Sequence, residues 1–97
     1  MSKLLEGTDR TEALEELSEA GWTVEESGNA VTRQFKFKTF PEALGWMVHM
    51  GVIAEKMNHH PEWSNVYNRV EVTLITHDCD GLSALDVKLA QKMDALA

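Results

Sequence analysis

Two spacings of apolar residues alternate along the chain and divide it into five blocks. From Arg10 to Ala20, Leu14 and Leu17 fall on one side with Ala13 and Ala20 beside them, while Glu15, Glu16 and Glu19 face the other way. This is the helical period. Thr8 or Asp9 is the expected cap, with Glu12 near capping-box spacing, and Gly21 suits a left-handed C-terminal residue. Trp22 to Glu25 reads as a short strand, Ser27-Gly28-Asn29 as a turn, and Ala30 to Phe37 as a second strand. In that strand Val31, Arg33, Phe35 and Phe37 share one side. Thr39 and Pro41 open the longest helical run, whose apolar stripe comprises Phe40, Ala43, Leu44, Met47, Val48, Met50, Ala54 and Met57. It ends near Asn58, before Pro61. Trp63 to Tyr67 and Arg69 to Thr76 form a second hairpin about Tyr67-Asn68, with Val70, Val72 and Leu74 on one face. After the loop His77-Asp78-Cys79-Asp80-Gly81, Ser83 caps a last helix to about Leu96, with Leu85, Leu89 and Met93 inward.

The order is α-β-β-α-β-β-α. The expected fold is α+β, a four-stranded antiparallel sheet with three α-helices packed on one face, in a single domain over residues 1–97. A chain of 97 residues has room for one core. Nine Lys and Arg against sixteen Asp and Glu give a formal charge of −7. That argues against a domain that binds nucleic acid by neutralising phosphates, and against docking on an anionic membrane. No apolar run is long enough to span a bilayer, and no secretory leader is legible at the start. The one cysteine, Cys79, cannot form an internal disulfide, so a reducing, cytoplasmic setting is expected.

Chemistry concentrates in the histidines. His49 lies within the long helix and reads as a surface or core residue. His59 and His60 stand at that helix's C-terminal end, where unpaired carbonyls favour a protonated ring, the state a general acid needs. Complementing the helix dipole is the plainer role for the pair. His77 ends a strand, where a side chain is rigidly aimed. Asp86, three residues after Ser83, reads first as the carboxylate of a capping box. Zinc is disfavoured: adjacent histidines in an extended segment point apart, and no Cys-x-x-Cys or His-x-x-x-His spacing occurs. Cys79 has no basic helix start beside it to make it a nucleophile.

The stretch from Ala54 to Asn68, containing Glu55, His59-His60-Pro61, Trp63 and Tyr67, resembles the pterin-4a-carbinolamine dehydratase family. The match continues through Val70, Thr76-His77, Gly81-Leu82-Ser83 and Asp86. Glu55, His59, His60, Pro61, Tyr67, His77 and Asp86 fill the places of the family pattern; position 58, often Asp there, is Asn here.

The resemblance implies loss of water from a 4a-hydroxytetrahydropterin to give a quinonoid dihydropterin, in recycling the pterin of aromatic amino acid hydroxylases. It implies no metal, no organic cofactor, and assembly as homodimers or homotetramers. It assigns His59, His60 and His77 to catalysis, and Glu55, Trp63, Thr76 and Asp86 to the substrate: Glu55 to the amino and N3–H edge, Trp63 to an apolar wall, Asp86 to orienting a histidine or a loop N–H. The residues fit such a reaction, because expelling hydroxide needs an acid and removing the N5 proton needs a base. Some animal members also serve as dimerisation cofactors of a homeodomain transcription factor. The rival expectation is therefore a protein-binding module without catalysis, using the helix face of Met47, Met50 and Met57.

Overall fold

The computed structural model describes residues 2–97. The elements are α1 (Gly7–Ala20), β1 (Thr23–Val24), β2 (Val31–Lys36), α2 (Phe40–Met57), β3 (Glu62–Val66), β4 (Arg69–Leu74) and α3 (Ala84–Leu96), with a 3-10 turn at His77–Cys79 between β4 and α3. The fold is the expected α+β arrangement. Its antiparallel sheet has the order β1-β2-β4-β3, so each hairpin supplies one central and one edge strand. The β2–β4 register places Val31 opposite Leu74 and Phe35 opposite Val70, and Trp63 of β3 lies opposite Val72. All six therefore share the face under the helices.

That face and the inner sides of α2 and α3 make one core, in which Met50, Val70, Val72, Leu74, Leu89 and Met93 have no exposed surface. Burying side chains of this size stabilises by roughly 1.5–3 kcal/mol each before entropy is charged. An aromatic row runs through the core: Phe35 lies 4.6 Å from Trp46 between ring centroids, Phe37 5.3 Å from Trp46, and Trp63 6.2 Å from Trp46. Arg33, on the apolar side of β2, is accommodated because its guanidinium pairs with Asp94 of α3 at 2.7 Å and donates to Ala20 O.

The start of α1 differs from the sequence expectation. The helix begins at Gly7, so Thr8 and Asp9 lie inside it, and the preceding Glu6 makes no side-chain cap. The cause is tertiary. Leu4 bridges to Ser83 and Leu5 N–H donates to Leu82 O, which ties down the chain immediately before the helix. Gly7, at φ +58°, makes the turn out of that strap.

The apolar stripe of α2 is also redistributed. Its buried side is Ala43, Trp46, Met50 and Ala54, with Met47 and Met57 packed against the core. The methionine face is thus core rather than a free surface. Phe40, Leu44 and Val48, expected in the stripe, are exposed and form a row with Val52. The helix is apolar on nearly every side, so its period alone could not say which side meets the sheet.

Candidate functional site

The site is built where α2 ends. Thr39 caps its start, accepting from Glu42 N–H. Its end is set by Asn58, which takes the left-handed conformation that Asn tolerates better than most residues. His59 N–H then donates back to Ala54 O. Pro61 keeps the following chain extended, so the two histidines diverge: His59 is buried at 8% exposure and His60 is exposed.

His59 meets Asp86 of α3, a carboxylate with no solvent exposure, at 2.6 Å from Nε2 to Oδ1. The second oxygen, Oδ2, accepts from Thr76 Oγ1 at 2.6 Å and from Ser83 N–H at 2.9 Å. The Thr76 hydroxyl, having given its proton to Asp86, accepts from Ser83 Oγ at 2.7 Å. Ser83 Oγ in turn accepts from Leu85 N–H. Two donors occupy Oδ2 and leave Oδ1 to His59, and an ionised carboxylate only accepts. Nε2 of His59 therefore carries its hydrogen, and the neutral ring has its lone pair on Nδ1. Among the described residues, Trp46 Nε1 is the sole fully buried side-chain N or O without a partner. Nδ1 of His59, which has no partner among the described residues, is thus not fully buried. Asp86 closes the capping box of α3 and fixes the tautomer of His59 with the same side chain.

The other two histidines repeat this pattern at the rim. His60 Nε2 pairs with Glu55 Oε1 at 2.7 Å, and His77 Nε2 pairs with Glu62 Oε2 at 2.7 Å, both pairs in solvent. His59, His60 and His77 all border one cavity of about 550 Å³, with Thr76, the apolar Met57, Ile75 and Leu85, and the polar Ser2, Asn58 and Asp78. That volume lies within the usual range for small-molecule sites. Glu55 stands behind His60, and Asp86 behind His59. Trp63, expected as an apolar wall, is not on the cavity lining; it packs against Trp46 on the helix side of the sheet. The physical reason is parity, since a residue opposite Val72 must share its face. Glu62 and Ser83 were not singled out for the site from the sequence. Ser83 is legible as a cap, but the partner of Glu62 is set by how the end of β3 meets the turn after β4.

Cys79 donates weakly to Thr76 O. Partial burial, then the Asp78 carboxylate, push its thiol above the ordinary range, with Asp86 and Asp80 adding and a backbone hydrogen bond from Gly81 opposing. It is a thiol and not a thiolate nucleophile at neutral pH. Among the described residues no three His, Cys, Asp or Glu side chains gather as metal ligands. No described helix is long and apolar enough to cross a membrane.

A family model described as Pterin 4 alpha carbinolamine dehydratase matches residues 3–96. A protein of Jannaschia sp. (strain CCS1) named "Putative pterin-4-alpha-carbinolamine dehydratase" is 53% identical over 97 residues, covering 100% of this chain and 99% of its own. A crystal structure of a transcriptional coactivator/pterin dehydratase from Brucella melitensis superposes with a TM-score of 0.89 at 47% identity, over 98% of this chain and 99% of that one. A pterin dehydratase-like protein described as a RuBisCO assembly factor in the alpha-carboxysome shares the fold, with a TM-score of 0.69 at 18% identity, over 79% of this chain and 89% of that one.

Proposed function

This chain belongs to the pterin-4a-carbinolamine dehydratase family, and from that premise we propose that it converts a 4a-hydroxytetrahydropterin to the quinonoid dihydropterin and water, recycling the pterin of an aromatic amino acid hydroxylase in the cytoplasm. The observation that carries the reading is the shared cavity of three imidazoles, one of them held through Nε2 by a buried carboxylate. His59 Nδ1 takes the proton from N5. The electron pair of that N–H bond forms the N5=C4a double bond, and the C4a–O bond breaks with its pair on oxygen. His60 or His77, protonated, gives that oxygen the proton with which it leaves as water. The Asp86 carboxylate stabilises the imidazolium that forms on His59, and Thr76 acts through Asp86. Glu55 binds the amino and N3–H edge of the pterin while one of its oxygens holds His60. The step needs no oxidant and no organic cofactor, because its atoms and electrons balance within the substrate.

Mixing the purified protein with a freshly generated 4a-hydroxytetrahydropterin in a stopped-flow instrument tests this. The expected result is formation of the quinonoid product well above the buffer rate. Folded protein without acceleration would overturn the reading and favour the rival, a binding module without catalysis.

We assign the apolar row on α2 to self-association into a homodimer or homotetramer. Four large apolar side chains, Phe40, Leu44, Val48 and Val52, repeat every four residues along one side of the helix, and Val48 is 62% exposed. Sedimentation of the wild-type protein should show an oligomer, and Val48→Glu should shift it toward monomer without unfolding it. A wild-type protein sedimenting as a monomer would refute the assignment.

A further inference from the structure

We propose that Glu62 is a positioning residue for His77. The inference rests on the dehydratase reading and extends it to a side chain outside the family pattern given above. His77 Nε2 stands 2.7 Å from Glu62 Oε2, fifteen positions earlier in the chain. Glu62 is the first residue of β3 and follows Pro61 directly, so the backbone from which it reaches is restrained. An ionised carboxylate only accepts, so His77 donates from Nε2–H and its neutral ring keeps the lone pair on Nδ1.

A second observation separates this pair from an incidental surface contact. Each of the three histidines bordering the cavity presents Nε2 to a carboxylate, at 2.6, 2.7 and 2.7 Å. The carboxylates come from three different elements: Asp86 from α3, Glu55 from α2 and Glu62 from β3. His49, which lies away from the cavity, is exposed and has no such partner among the described residues. The arrangement thus follows the cavity and not the histidines as a class. Its consequence is that all three rings leave the same nitrogen, Nδ1, for whatever occupies the cavity. A ring whose neutral form is held as one tautomer does not have to reorient between successive proton transfers.

The pair is solvated, with side-chain exposures of 73% for His77 and 57% for Glu62. Its effect is accordingly that of one exposed hydrogen bond, about 2- to 10-fold in rate. Glu62→Ala is expected to lower kcat by that factor with KM nearly unchanged. Glu62→Gln, whose amide oxygen still accepts from Nε2–H, should restore most of the loss. Long-range proton–nitrogen correlation spectra, recorded at about pH 9 where imidazoles are neutral, should show His77 as the Nε2–H tautomer in the wild type and as a mixture in Glu62→Ala. Unchanged His77 signals in Glu62→Ala would overturn the proposal, as would an unchanged kcat in an active enzyme. A wild-type protein that shows the tautomer yet dehydrates no pterin would sink the dehydratase reading and leave the pairing standing.

Discussion

His59→Gln should slow dehydration by about 10²–10⁴-fold, the range for a positioned acid or base, with little loss of stability. The glutamine amide nitrogen lies close to where Nε2 stands and can still donate to Asp86 Oδ1, so the buried carboxylate keeps its third hydrogen bond. What disappears is a titratable nitrogen facing the cavity. Single-turnover stopped-flow and urea unfolding, measured on the same preparation, separate the two effects. A wild-type rate in the variant would remove His59 from the mechanism. An equal loss of rate and of folding free energy would assign it a structural role only.

Asp86→Asn tests the other half of the pair, and the expected rate loss is again about 10²–10⁴-fold, because an amide reverses the tautomer. Ser83 N–H and Thr76 Oγ1 both donate to the same oxygen of Asp86. The Asn oxygen is therefore drawn to that side, and its NH₂ group faces His59 Nε2. Nε2 must then accept, which moves the ring hydrogen to Nδ1, the nitrogen that should receive a proton from the substrate. Nitrogen chemical shifts of His59 should report this exchange directly. An Nε2–H ring in Asp86→Asn would overturn the account. Asp86→Ala differs in kind. It leaves Ser83 N–H, Thr76 Oγ1 and His59 Nε2 without their acceptor in a buried site, and a loss of about 3–5 kcal/mol is expected in chemical unfolding.

Much of the architecture can be read from the chain because its signals are local. Alternation in β2 and β4, the Thr39 cap and the Ser83–Asp86 box each depend on residues within a few positions of one another, and each is present in the structure. The three histidines around the cavity can be picked out by their place at element ends. What could not be read was set by distant parts of the chain. Leu44 and Val48 obey the helical period as well as Ala43 and Met50 do, and only the position of the sheet decides which pair is inside. The N-terminal strap, docked on Leu82 and Ser83, moves the start of α1 ahead of the capping residues offered by the sequence. Trp63 looks like a site residue from its place after His-His-Pro, but strand register turns it to the core. Asp86 was legible as a cap. The part its Oδ1 plays in holding His59 is a contact across 27 positions that no local spacing encodes.

Because one carboxylate both begins α3 and seats the His59 ring, the opening turn of that helix is a fuse for the chemistry. Any change that frays this turn detaches the His59 ring with it, so the loss of turnover and the loss of the helix start should coincide, and a ligand that seals the cavity would protect both.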